Sequence, residues 1–373
     1  MSGLLIAAIA GRMLAASAQR GGYKVAVLDL FNDLDTRQIA PHSQKVPGHE
    51  QGLARFSGNA LLEAARGLAP GDVYSGVVYG SGFEDDTELL RELTLGRRLY
   101  GNSMAVIERI KEPRQFFALL DELAIPHPDI AFSPPLNSDG WLAKKIGGSG
   151  GAHVVAVSRM RGDADGRYYQ RYCAGTNYSV SFLANGKRAL IVGFNEPWSI
   201  ALGDWPYCYL GAINHANLPI RIVDRIQGQL DRLVNATGLL GLNGLDFILA
   251  GDDYVVIEVN PRPSGTLDLY DEDCAKGLFH WHLQASDGIL PETLFLNKTI
   301  RAHAVVYTLQ PFTLSNKIHW PDWCSDIPEP GTAFAARMPV CMIHAEGVDH
   351  DSVKKLIHLR RETAWHHIQK QAE

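Results

Sequence analysis

The chain opens with a short apolar run, Leu4–Ala10, broken by Gly11. Residues 12–20 follow with Leu14, Ala15 and Ala18 at helical spacing, Gly21-Gly22 ends that segment, and Tyr23–Leu30 is a second apolar run. Strand, helix, strand in this order predicts a parallel sheet. Val73–Tyr79 extends it as a buried-type strand, and helical patterns cover about 86–93 and 104–123, the latter interrupted at Pro113. From Trp141 onward the pattern turns β-rich. Trp141–Ile146 and His153–Ser158 read as one hairpin, and Arg167–Tyr172 and Tyr178–Ala184 as a second pair around Gly175, followed by a strand over Ala189–Phe194. A helix is predicted over 217–238, with Val223, Ile226, Leu230, Leu233 and Val234 as its stripe. Leu245–Ala250 and Tyr254–Val259 form a further hairpin around Gly251-Asp252-Asp253, Ala302–Gln310 and Pro339–Ala345 are strand-like, and 349–371 is a closing amphipathic helix.

At 373 residues the chain is too long for one compact core. The pattern predicts an α/β (α+β) protein: a Rossmann-like first domain over 1–99, a central subdomain over 100–185, and a C-terminal subdomain over 186–373. Composition removes several function classes. Net charge is −6 with no long charge run, which argues against a nucleic-acid surface. The five cysteines are scattered, without zinc spacing, as free thiols in a reducing cytoplasm would be. Leu4–Ala10 is too short to span a membrane and has no basic segment before it, so no signal peptide or membrane contact is expected. Gly11 stands alone where a dinucleotide fingerprint needs three glycines, which counts against NAD. In the polar loop after Leu30, Asp33 and Asp35 either touch substrate or cap the next helix.

Candidate chemistry concentrates in the hairpin at 242–265. With a three-residue turn centred on Asp252, Asp246 falls opposite Glu258, and strand alternation puts Asn260 on the same face. Two buried carboxylates side by side repel one another, and a hard divalent cation would relieve them. A solvated edge hairpin would carry the same residues without a cation. Upstream, Gly147-Gly148-Ser149-Gly150-Gly151 can lay backbone N–H groups against phosphate oxygens, with Lys144 supplying charge. This is not a Walker A loop, because the lysine precedes the glycines. A flexible turn bearing surface lysines is the plainer alternative.

Lysine–glycine hairpin, tyrosine-rich strand 168–172 and Asp/Glu/Asn cluster, in that order, resemble the ATP-grasp superfamily of carboxylate–amine ligases over about 100–270. The resemblance implies ATP and Mg²⁺ (or Mn²⁺) as cofactors. It assigns Lys144, Gly148, Ser149, Gly150 and Gly151 to the phosphates, and Gln170, Arg171, Tyr172, Cys173 and Asn177 to the adenosine. Asp246, Glu258 and Asn260 become metal ligands, and Arg262 reaches a phosphate or the substrate. The lysine that in the family often opens the helix before the first grasp hairpin is replaced by Pro113, so either Lys111 or Arg114 substitutes or the contact is absent, and Gly244 stands where relatives place an arginine. Implied function is activation of a carboxylate as an acyl phosphate and its transfer to an amine. Glu196, Trp198 and Tyr209 are candidate acceptor contacts, or core aromatics under a loop. The overall look resembles superfamily members that include a tyramine–glutamate ligase, and a homodimer is compatible with it. The rivals are a nucleotide-binding regulatory module and a carboxylase or synthetase with another acceptor.

Overall fold

The computed structural model describes residues 3–49, 54–160, 166–294, 297–315 and 318–370. The first domain is a parallel sheet in the order Ser43–Lys45, Val25–Asp29, Gly3–Ala7, Tyr74–Tyr79, Arg98–Tyr100. Its middle strand, Gly3–Ala7, is apolar throughout because helices cover both faces. Leu14, Ala15 and Ala18 of the helix Arg12–Arg20 pack on one face, and Leu61, Ala64 and Ala65 of Gly58–Leu68 on the other. The first of these cores does not stop at the domain edge. It continues into Leu183, Val192, Leu242, Leu267 and Phe279, so the first domain shares buried surface with the C-terminal part of the chain.

A four-stranded sheet follows: Val155–Ala156, Trp141–Lys145, Arg167–Arg171, Ile130–Ala131. Here one expected pairing is corrected. The strands flanking Gly175 do not form a hairpin; Arg167–Arg171 pairs with Trp141–Lys145, and Thr176–Asn185 joins a different sheet. A Cβ on Gly175 would lie 2.4 Å from the Leu249 carbonyl, so the crossover needs glycine for its close approach. The change of sheet therefore falls at 172–175, ahead of the expected boundary at 185. Pro113 acts as anticipated, opening the helix Pro113–Glu122 after Met104–Lys111 ends.

The third sheet has eight strands in the order Asp253–Asn260, Leu240–Ala250, Thr176–Asn185, Ala189–Leu202, Trp205–Ile213, Ile300–Tyr307, Pro339–Gly347, Cys324–Ser325. Two helices cover its back face: Ile220–Thr237 against Val180, Phe194 and Phe247, and His350–Lys370 against Ile213 and Ile343. The expected last residue of that closing helix, Gln371, lies outside the described residues. The front face looks toward the first domain and holds the polar side chains considered next. No helix among the described residues is long and apolar enough to cross a membrane.

Candidate functional site

The hairpin reaches its expected pairing by an unexpected route. Its turn is Gly251-Asp252, with Ala250 opposite Asp253 and Phe247 opposite Val256. That register alone would set Asp246 against Ile257. A bulge at Ile257 inserts one residue, and Asp246 then pairs with Glu258 and Gly244 with Asn260. A shorter turn plus a bulge gives the same pairing as the longer turn.

On the front face Asn260 Nδ2 donates to Asp246 Oδ2 at 3.0 Å. Lys111, the last residue of its helix, reaches Glu258 Oε1 at 2.5 Å and Asn260 Oδ1 at 3.2 Å. Between the two candidate substitutes the geometry separates cleanly, since Arg114 instead lies over the Phe132 ring at 4.0 Å. Lys144 is buried on the strand opposite Tyr168, and its Nζ donates to Gln170 Oε1 at 3.2 Å. Lys145, one residue on, points to the other face by strand alternation.

The glycine loop is folded down onto its neighbours. A Cβ at Gly148 would strike the His153 ring at 2.5 Å, one at Gly147 would meet Asp85 at 2.6 Å, and one at Gly151 would sit 1.9 Å from the Tyr207 carbonyl. Gly150 accepts a hydrogen bond from the Tyr209 backbone at 3.0 Å. The loop is thus wedged between the first domain and a central strand of the large sheet. A cavity of about 30 Å³ remains beside it, lined by Lys111, Lys144, Gly148, His153, Tyr168 and Glu258. That is room for about one water molecule, so a triphosphate could enter only if the loop lifts.

Arg262 is buried and ion-paired to Glu84, its Nε lying 2.5 Å from Oε1. The other Glu84 oxygen accepts from the backbone of Gly82 and Phe83 at 2.7 and 3.1 Å. Among the remaining adenosine candidates, Gln170 is buried with its Nε2 unpaired. Arg171 is exposed over the Trp141 ring, Tyr172 is exposed with its N–H on the Gly140 carbonyl, Cys173 is half-buried, and Asn177 is exposed opposite Ile248. Ser149 lies in the glycine loop, half-buried.

The three acceptor candidates divide between the two faces. Tyr209 is on the front face, its hydroxyl 2.6 Å from His303 Nε2. Glu196 alternates to the back face, where Lys354 Nζ holds both its oxygens at 2.8 and 2.9 Å and Trp198 Nε1 donates at 3.3 Å. Trp198 packs against the core under the closing helix.

Electrostatics separate the two carboxylates of the hairpin. Burial, and then the neighbouring Glu258, push Asp246 well above the ordinary carboxylate range. Burial would raise Glu258 as well, but Lys111 and Lys144 outweigh it and hold that group low. Arg262 and Lys111 likewise overcome burial to lower Glu84. Burial drives His153 down to about 4, leaving it neutral among Lys144 and Lys111. One carboxylate of the pair therefore has its cation and the other does not. Among the described residues no three His, Cys, Asp or Glu side chains converge as metal ligands. Two carboxylates and an amide oxygen are nonetheless the hard donors that Mg²⁺ or Mn²⁺ takes, and the strained Asp246 carboxyl is the charge such an ion would relieve. The residues fit the group.

Glu84 and His153 escaped the sequence reading. Glu84 follows Gly80-Ser81-Gly82 at the carboxyl end of a parallel strand, the place where such sheets present ligand-binding groups, and that position was the available signal. His153 had none: only the fold of the glycine loop brings it beside Gly148.

A family model described as an ATP-grasp domain matches residues 113–266. Carbamoyl phosphate synthase large chain of Rubrobacter xylanophilus is 26% identical over 232 residues, covering 56% of this chain and 21% of that one. The large chain from Acidobacterium capsulatum is 26% identical, covering 61% of this chain and 23% of its own length. The chain thus spans under a quarter of these relatives. Among solved structures, biotin carboxylase of Campylobacter jejuni aligns with a TM-score of 0.73 at 11% identity, over 99% of this chain and 91% of that one. N5-carboxyaminoimidazole ribonucleotide synthetase of Thermotoga maritima aligns at 0.66 with 18% identity, over 97% and 98%. At such identities these two speak to fold alone.

Proposed function

We propose, from the match of residues 113–266 to an ATP-grasp domain model, that the chain is an ATP-dependent ligase that activates a carboxylate and joins it to an amine. One observation carries the reading. Lys111, Lys144, Gly147, Gly148 and Glu258 line a single cavity, and Lys111 also bonds Asn260, whose amide donates to Asp246.

In the first step a substrate carboxylate oxygen attacks the γ-phosphorus of ATP, and the bond to the ADP oxygen breaks. Such a transfer needs positioning and charge neutralisation more than a covalent catalyst. Lys144 and Lys111 supply fixed positive charge, and the N–H groups of Gly148, Ser149, Gly150 and Gly151 are the proposed cradle. Arg262, aligned by Glu84, is proposed to take the oxygens of the transferred group. Asp246, Glu258 and Asn260 would hold Mg²⁺ or Mn²⁺, which supplies charge neutralisation at the phosphates. After lifting to admit the nucleotide, the loop would close over it and exclude water from the acyl phosphate, which hydrolysis would otherwise consume. In the second step an amine attacks the acyl carbon, the C–N bond forms, and inorganic phosphate leaves.

Adenosine is assigned to Gln170, Arg171, Tyr172, Cys173 and Asn177. The unpaired amide of buried Gln170 supports a ligand at that end. Glutamate with tyramine is the first substrate pair to try. A second reading, transfer of a carboxyl group as in an ATP-grasp carboxylase, draws on the fold shared with biotin carboxylase and the carboxyaminoimidazole enzyme. A phosphate-release screen of carboxylates, including bicarbonate, with and without amines separates the two. Release that requires both an organic carboxylate and an amine supports the ligase. Release with bicarbonate alone supports the carboxylase, and release with no pair overturns both.

A further inference from the structure

A second buried polar group lies on the front face, next to the glycine loop but outside the phosphate cluster. Asp268 Oδ1 is 2.9 Å from His303 Nδ1, and His303 Nε2 is 2.6 Å from the Tyr209 hydroxyl. His303 is fully buried. The three residues come from three separate elements: the short helix Asp268–Asp271, the strand Ile300–Tyr307 and the strand Trp205–Ile213. Tyr209 is also fixed through its backbone. Its N–H donates to Gly150 of the glycine loop at 3.0 Å, and its carbonyl accepts from the Tyr307 hydroxyl at 2.8 Å. The residue that ends this chain of hydrogen bonds is therefore the one that seats the phosphate loop.

We propose that Tyr209, backed by His303 and Asp268, accepts the proton that an acceptor amine must lose before it attacks the activated carboxylate; this rests on the ligase reading. An ammonium has no lone pair and cannot attack an acyl carbon. Its proton passes to the Tyr209 oxygen as the Tyr209 proton passes to His303 Nε2. The imidazolium that results keeps its Nδ1–H on the Asp268 carboxylate. The freed nitrogen lone pair forms the C–N bond, the C–O bond to phosphate breaks with its electrons on the leaving phosphate, and that phosphate takes the surplus proton from the new amide nitrogen.

The surroundings suit this direction of transfer. Asp268 is held low, because its contact with His303 outweighs the effect of burial, so the imidazolium would meet an anion. Burial, then Asp268 and Asp246, raise the Tyr209 hydroxyl far above its ordinary value, so it relays a proton and does not store a negative charge. The charged and titratable groups against His303 are Asp268, Tyr209 and His344, and Arg12 and Asp326 lie beyond them around His344. His344 is itself neutral, driven to about 4 by burial, with Nε2 on Ser325 Oγ at 2.7 Å. Arg12 is paired to Asp326 at 2.7 Å, and its buried Nη2 has no partner. Asp33 and Asp35 add two carboxylates at this end of the front face, both raised, by burial first and then by Asp326. A cationic acceptor would relieve this crowding of carboxyl groups.

The test compares two nucleophiles, using the carboxylate–amine pair active in the phosphate-release screen. Hydroxylamine is largely uncharged at neutral pH, so it traps an acyl phosphate as hydroxamate without needing a base. Tyr209→Phe should lower amide formation by about 10²-fold, the usual worth of a positioned proton acceptor, and hydroxamate formation far less. The amide deficit should shrink as pH rises and free amine becomes available without help. His303→Gln should give the same split if Tyr209→Phe does not fold. Equal losses with both nucleophiles, or no pH rescue, would leave the three residues a structural brace and overturn the proposal. A wild-type protein that forms no hydroxamate from any carboxylate would overturn the ligase reading itself, and the relay with it.

Discussion

The large sheet carries a lysine–glutamate pair on each face, and the two are chemically unlike. On the front, Lys111 meets Glu258 at 2.5 Å, with 7% and 24% of their side chains exposed. On the back, Lys354 meets Glu196 at 2.8 Å, with 39% and 26% exposed. The back pair is self-contained: Lys354 bonds both carboxylate oxygens and the Trp198 indole N–H adds a third contact. The front pair is crowded by Asp246, Lys144 and His153, and its charges are shared among several partners. The same two residue types are a surface tie in one place and part of a charged cavity in the other. Burial and neighbours decide which, not the ion pair.

Removing each glutamate is the sharpest way to test that contrast. Glu258→Gln should cut ATP-dependent phosphate release by about 10³-fold, as loss of a central transition-state electrostatic group does. Steady-state kinetics on folded protein checks it, and near-wild-type turnover would erase the distinction between the faces.

Glu84→Gln probes the front face through stability. It leaves Arg262 buried without its ion-pair partner, at a cost of about 3 kcal/mol. Because Glu84 is lowered in the folded state, its stabilisation is present above the ordinary carboxylate range and is lost as pH falls through the folded value. Urea denaturation of both proteins should show the gap at pH 7 closing on acidification. A gap independent of pH would remove the charge from the explanation.

Gly151→Ala tests the loop that closes over the front pair. Its φ is +77° and its Cβ would strike the Tyr207 carbonyl, so the loop should detach while the sheet stays folded. Turnover should drop by about 10²-fold with little change in melting temperature, the signature of a lost lid rather than a lost fold.

The smallest effect belongs to the back pair. Glu196→Gln should change stability by at most about 1 kcal/mol, since the pair is partly solvated. Turnover should be unchanged, and a large loss would return Glu196 to the list of substrate contacts.

What the sequence revealed follows the distance over which residues are brought together. Asp246, Glu258 and Asn260 were legible because one hairpin fixes them, and alternation needs only a register. Even there the turn is one residue shorter than the spacing predicts, and a bulge that leaves no clear mark in the sequence makes the pairing come out the same. The glycine loop was legible from its composition. Lys111 was visible only as one of two candidates, because the choice depends on which side of Pro113 faces the hairpin. Glu84, His153 and the Asp268–His303–Tyr209 chain come from elements far apart in sequence, and no local pattern encodes their meeting. Glu196 reads in the sequence as a candidate acceptor contact because its partner, Lys354, lies on a helix more than a hundred residues away.

The central claim is that Asp246, Glu258 and Asn260 bind the metal of a metal–ATP complex beside Lys144. Calorimetric titration with a non-hydrolysable ATP analogue, with and without Mg²⁺, tests it most directly. Wild-type protein should bind at least about tenfold more tightly with Mg²⁺, a difference of about 1.4 kcal/mol, and Glu258→Gln should lose that difference. Equal affinity with and without Mg²⁺ in the wild type, or an undiminished Mg²⁺ effect in Glu258→Gln, would contradict it.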